Sequence, residues 1–301
     1  VWSALLYIAM LPGQPAPPVY RTTVPEVIVD AQVRDGTASV GGLQKEDFVI
    51  VEDGRPQAST YFRYGSKPVD LLVLLDRNCR LAGPRTSAAL QSGVPAVARL
   101  LHPGDRMGVM AFDNEARIVE DLSPDSHRVG TALRSLTDPR FLSGGGFTNV
   151  NGAVLAAARY LRFHGRRDAR RAILMITFNR GVRHARNRTV LRELWEADAV
   201  LDAVIMAPRK HDQLFALPFE ADVRELVSQT GGEFIKRRLD PDSLRGMLDR
   251  LRNCYTLHYR PSPGLAGTRR SIQVKLSAPG RKKYPHAIVL ARRGYVLTAP
   301  L

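Results

Sequence analysis

The residue best placed to do chemistry is Asp76. It closes the apolar run Val69-Asp70-Leu71-Leu72-Val73-Leu74-Leu75 and opens the polar stretch Arg77-Asn78-Cys79-Arg80. A run of that kind reads as a buried parallel strand. In open α/β sheets, ligands sit beyond the carboxyl ends of the strands. A carboxylate at that point is where a hard divalent cation would be held, because such ions take oxygen donors. Two more segments are expected at the same edge. One is Ser143-Gly144-Gly145-Gly146-Phe147-Thr148-Asn149, ahead of a helix; the other is Thr177-Phe178-Asn179-Arg180-Gly181, after a second apolar run.

Other chemistries find less support. Three glycines before a helix can cradle a phosphate, but no Gly-Lys-Ser/Thr follows Gly146, and the spaced glycines of a dinucleotide fingerprint are missing. A Rossmann-like enzyme would also need a cofactor loop after its first strand, where Arg77-Asn78-Cys79-Arg80 has no glycine. The seven histidines show neither helical metal spacing nor a Cys–His cluster. Ser143 lacks a nucleophile-elbow context, and the sequence names no partner base for Cys79.

The elements that must position Asp76 follow from hydrophobic period. Strands are predicted over 69–76, 106–112, 116–119, 171–177, 200–206 and 232–235, and helices over 84–102, 125–136, 149–163, 188–198, 219–230 and 241–253. This alternation predicts an α/β fold, a doubly wound and mostly parallel sheet with helices on both faces. The flanks are strand-like, with turn signals at Asp35-Gly36 and Asp53-Gly54. Strand 69–76 starts, and helix 241–253 ends, at the lower edge of the sheet. The N- and C-terminal β-rich flanks therefore leave from one side and are predicted to form a small second β unit. The expected organisation is a leader at 1–19, a flank at 20–67, the α/β domain at 68–253 and a flank at 254–301. Cys79 falls at the top and Cys254 at the bottom, roughly 17–20 Å apart, too far for a disulfide.

With 301 residues, 44% of them hydrophobic, the chain can build a core without covalent staples. Its formal charge of +15 raises a basic nucleic-acid or anionic-surface binding protein as an alternative. The basic residues come as short groups such as Arg166-Arg167 and Arg281-Lys282-Lys283, without interleaved aromatics, so no specific nucleic acid is expected. The apolar stretch Val1–Leu11 is too short to span a bilayer, and no transmembrane segment is expected. With the Pro-rich residues after it, this stretch resembles a truncated signal peptide, which predicts a secreted or periplasmic, cell-envelope location.

Asp76, Thr148 and the strand ends give the chain a resemblance to the von Willebrand factor A family over about residues 69–235. That family carries Asp-x-Ser-x-Ser after the first strand, a Thr after a glycine-rich loop and an Asp after a later central strand. Together they hold Mg²⁺ or Mn²⁺ in a metal-ion-dependent adhesion site. The flanking signatures, from Gly42-Leu43 through Glu52-Asp53-Gly54 to Gln57 and from Tyr255 to Arg293-Gly294-Tyr295, look like the VWFA-related proteins of acidobacterial genomes.

Carried over residue by residue, Asp76 matches the first carboxylate and Thr148 the threonine. Asn78 replaces the first Ser but keeps an amide oxygen. Arg80 replaces the second Ser, and Phe178 replaces the second Asp; neither offers a ligand. A +1 charge about 5 Å from a +2 ion is disfavoured by roughly 7 kcal/mol at an effective dielectric of about 20. The resemblance therefore implies a non-enzymatic protein-binding or adhesion-type module with a degenerate metal site. No resident cofactor is expected, Mg²⁺ or Mn²⁺ being the ion that the residual ligands Asp76, Asn78 and Thr148 would take. In the alternative, Arg77 or Arg80 replaces the ion and pairs with Asp76. Arg77, Arg80, Asn149 and Arg180 are the expected contacts for an unidentified protein partner with an acidic surface.

Overall fold

The computed structural model describes residues 26–77, 84–138, 148–179, 185–206, 223–236 and 241–297. The first flank carries β1 (Val27–Asp35), β2 (Ala38–Ser39), β3 (Phe48–Glu52), β4 (Arg55–Gln57) and β5 (Ser59–Ser66). The central region begins with β6 (Val69–Asp76), α1 (Pro84–Ala96), β7 (Arg106–Phe112), β8 (Ala116–Ser123), α2 (Ser126–Thr137) and α3 (Val150–His164). It continues through β9 (Arg170–Thr177), α4 (Asn187–Glu196), β10 (Ala199–Ile205), α5 (Val223–Thr230), β11 (Phe234–Lys236) and α6 (Pro241–Arg252). The second flank adds β12 (Asn253–Tyr259), β13 (Arg269–Leu276), α7 (Ala278–Lys283), β14 (Ile288–Ala291) and β15 (Gly294–Val296).

The central sheet has the order β11-β10-β9-β6-β7-β8, with only β8 antiparallel to its neighbour. Every residue of β6 is buried, because helices cover both faces of the sheet; this is why its sequence reads as an apolar run rather than an alternation. The strand's period of two still sorts its side chains. Val69, Leu71, Val73 and Leu75 pack with Leu90 of α1, Val129 of α2 and Leu248 of α6. Leu72 and Leu74 pack with Val154 of α3, Leu194 of α4 and Leu226 of α5.

Local chemistry sets the helix ends. Asp125 caps α2, accepting from the N–H groups of His127 at 2.9 Å and Arg128 at 3.2 Å. Helix α5 stops at Thr230 because Gly231 takes a φ of +79°, and a Cβ there would lie 2.5 Å from the backbone of Ala291. The single helix predicted over 84–102 ends instead at Ala96, just after Pro95, and a 3-10 turn covers Val97–Leu100. Strand β5 was not anticipated, because five of its eight residues are exposed and its apolar signal is weak.

The two flanks interleave, as predicted, into one β unit. One antiparallel sheet has the order β14-β1-β12-β5, with β2 beside β1; the other has the order β15-β13-β3-β4. They enclose Val29, Ile50, Tyr255, Leu257, Tyr259 and Val274. Asn253 lies opposite Ser66, and the N–H of Lys67 donates to the carbonyl of Arg252 at 3.1 Å, so the chain enters and leaves the central sheet side by side. Cys254 sits at this crossing as a free, buried thiol, which burial pushes well above its ordinary pKa. Cys79 lies outside the described residues.

At the lower edge, Asp70 and Asp105 are both buried. Asp70 accepts from Arg106 Nη2 at 2.6 Å, Arg166 Nη2 at 2.7 Å and the Arg166 backbone N–H at 2.7 Å. Asp105 accepts from the N–H of Val69 at 2.8 Å and from Arg252 Nη2 at 2.7 Å. Among the described residues, no helix is long and apolar enough to cross a membrane.

Candidate functional site

Period-two alternation decides what meets at the upper rim. Asp76 follows Leu72 and Leu74 on the face covered by α3, α4 and α5, and Thr177 follows Ile173 and Met175 on the same face of the neighbouring strand β9. The Thr177 hydroxyl donates to Asp76 Oδ2 at 2.7 Å, and the Phe178 N–H approaches the same oxygen at 3.4 Å. The phenyl ring of Phe178 continues the opposite series Ala172, Leu174 and Ile176 and packs into the core with Val204 and Met206. Phe178 thus adjoins Asp76 through its backbone, while its side chain is withdrawn from the rim.

The other segments arrive through β7. The Arg77 N–H donates to the Phe112 carbonyl at 2.8 Å, and the Asn149 N–H donates to the Asp113 carbonyl at 2.8 Å. Half-buried Arg77 reaches Asp113 at 3.6 Å. Thr148 is buried beside Asn149, whose Oδ1 caps α3 by accepting from the Gly152 N–H at 3.0 Å. Asn78, Arg80 and Arg180 lie outside the described residues.

The sequence model of the von Willebrand factor type A domain matches residues 72–178, from the middle of β6 to the residue after β9. This stretch is similar to von Willebrand factor type A domains.

Solved structures similar to the chain include an aerotolerance-related membrane protein from Bacteroides fragilis, at 15% identity and a TM-score of 0.47, covering 61% of this chain and 98% of that one. A von Willebrand factor type A protein from Catenulispora acidiphila is similar at 13% identity and a TM-score of 0.47, covering 84% and 74%. Proximal thread matrix protein 1 from the mussel byssus, with a zinc-occupied MIDAS motif, is similar at 15% identity and a TM-score of 0.46, covering 67% and 50%. No curated protein matches.

Several rim residues of this central domain were not singled out by the sequence. Thr177 is the hydroxyl partner of Asp76; its signal was a polar residue ending a buried apolar strand. Asn179 adopts a φ of +55°, which Asn tolerates better than most residues. It is buried, and its Oδ1 finds no partner among the described residues. Fully buried Asn151, at the start of α3, donates to the Ala185 carbonyl at 2.7 Å and to Asn187 Oδ1 at 2.8 Å; Asn187 in turn donates to Glu225 Oε2 at 2.5 Å. This chain of amides ties together the first turns of α3, α4 and α5. Isolated asparagines in amphipathic helices carry no sequence signal for such a network.

The described donors do not make a divalent-ion shell. Mg²⁺ takes near-octahedral oxygen coordination. Here one Asp76 oxygen already accepts the Thr177 hydroxyl, and Phe178 contributes no side-chain oxygen. Among the described residues, no group of three His, Cys, Asp or Glu side chains could hold a metal ion. Away from the rim, Asp202 is fully buried in β10. Burial pushes its carboxyl up to about 7, against the lowering effect of the Glu233 N–H that it accepts at 2.6 Å.

Proposed function

We propose that this is a non-enzymatic protein-binding module of the adhesion type, whose upper rim is a degenerate metal-ion-dependent adhesion site. The observation that carries the reading is the withdrawal of Phe178 into the core beside an Asp76 carboxylate already bonded to Thr177. In the family's usual arrangement, a metal presents an open position to a partner's carboxylate. Here guanidinium groups replace the metal. Arg77 at the rim, with Arg80 and Arg180 in the adjoining segments, meets an acidic partner surface directly. Asp76, Asn78 and Thr148 are the residual ligands, and Asn149 completes the contact surface. Location in the cell envelope or outside the cell is supported by the leader-like stretch Val1–Leu11.

Calorimetric titration with Mg²⁺ and Mn²⁺ tests this. No saturable heat is expected below about millimolar ion. Micromolar affinity in the unaltered protein would overturn the proposal. Partner pull-down from envelope extract with Arg80→Glu should lose the partner, while added chelator should leave it bound.

A further inference from the structure

The β unit has an open edge. Strand β13 is bonded to β3 from Ile272 opposite Glu52 to Leu276 opposite Phe48. On its other side, β15 covers only Arg269 to Ser271, and the last bond there runs from the Ile272 N–H to the Arg293 carbonyl at 2.9 Å. Backbone groups of alternate residues point to the same side of a strand. The N–H and C=O of Val274 and Leu276 therefore face away from β3, like those of Ile272, and meet no strand there among the described residues. Their side chains stay in the core, so this edge offers backbone without disturbing the packing.

That edge lines a groove of 1020 Å³, closed on the far side by Val289 and Ala291 of β14 and by Trp195 of α4. Its charge is one-sided. Asp53 is neutralised by Arg270 at 2.8 Å. Arg188, Arg269, Lys275, Arg281 and Arg293 line the groove, all exposed, and none has a carboxylate partner among the described residues. Arg269 is held over the Trp195 ring at 4.9 Å and cannot swing freely away. Elsewhere arginines are largely consumed by ion pairs, as at Arg106, Arg166, Arg250 and Arg252.

We propose that the free edge of β13 accepts an extended acidic segment of a partner protein as an added strand. From Val274 to Leu276, three residues at about 3.4 Å each give a free edge of about 10 Å, enough for a short peptide to pair. Main-chain bonds to Val274 and Leu276 supply affinity, and alternate acidic side chains meet Lys275, Arg281 and Arg293. A second copy of the same edge is the poorer occupant, because it would bring five more cations into the groove. Lysine on an edge strand also discourages self-pairing. This groove is separate from the rim of the central domain and does not depend on its reading.

The test is fluorescence anisotropy with a labelled peptide of about eight residues alternating Glu and Val. Saturable binding is expected, weakened about tenfold or more by Lys275→Glu combined with Arg281→Glu, and by raising salt from about 0.05 to about 0.5 M. Both side chains are exposed, so an unchanged melting temperature confirms the fold of the variant. The same peptide with alternate amides N-methylated keeps its charge and loses its edge bonds, and should bind about tenfold more weakly. Equal binding of the methylated peptide would overturn strand addition. Stronger binding of an oligothymidylate of equal charge would replace the proposal with a nucleic-acid groove, and absence of saturable peptide binding would remove it. Arg80→Glu, at the rim, should leave this binding unchanged.

Discussion

Asp70 and Asp76 stand at the two ends of one buried strand, and the protein treats them in opposite ways. At the lower end, two guanidinium groups and a backbone N–H converge on Asp70. At the upper end, a neutral hydroxyl and a distant N–H address Asp76 Oδ2. Burial alone would raise the Asp70 carboxyl. At Asp70 that effect is outweighed by the hydrogen bonds from Arg106 and Arg166, which hold it below the usual carboxylate range. An arginine–carboxylate cluster of the kind that the sequence suggested for the rim is built at the base. There it locks the sheet near its junction with the β unit, next to the Arg170–Asp30 pair that crosses into β1. A carboxylate saturated with arginine, as at the base, is structural.

The largest test of this contrast is Asp70→Ala. It leaves Arg106 and Arg166 facing each other without their anion and should cost about 3 kcal/mol in urea unfolding, near the low end for buried pairs because both guanidiniums retain water contact. Acidification should act in the same direction. Since the folded value of Asp70 is depressed, its contribution is present above the ordinary 3.8 and is lost as pH falls through the folded value.

Asp202 has the opposite sign. Its carboxyl is raised from 3.8 to about 7, so the folded state holds a proton that the unfolded state releases. The stability it contributes is full below 3.8 and lost as pH rises to about 7, a difference of a few kcal/mol. Asp202→Asn keeps an acceptor for the Glu233 N–H and should flatten that part of the stability-versus-pH curve. A variant curve as steep as that of the unaltered protein would assign the slope to other groups.

At the rim the effects should be smaller. Thr177→Val removes the hydroxyl from a buried carboxylate and should cost about 2 kcal/mol in thermal unfolding. Asp76→Asn keeps an acceptor for Thr177 and should cost about 1 kcal/mol or less. If Asp76→Asn proved as damaging as Asp70→Ala, the two ends of β6 would be equally structural, and the rim would lose its claim as a binding site.

The sequence by itself determined the central sheet, because burial on both faces leaves apolar runs and 3.6-residue periods that need no knowledge of distant partners. Strands β6 and β7 lie at their predicted residues, and β9 begins one residue early. The same patterns placed Asp76 at a strand end and made Phe178 a break in the resemblance. Only the tertiary structure decided which charges meet. Arg166 is 96 residues from Asp70, and Thr177 is 101 from Asp76. Trp195 of α4 closes against Gly294 and Arg269, where the helical layer meets the β unit. The open edge of β13 had no signal at all, since an unpaired strand and a paired one have the same side-chain alternation. Local periodicity reports how deeply a residue is buried; the partner of a buried charge, or of a bare backbone edge, is fixed by chain segments that the local pattern does not contain.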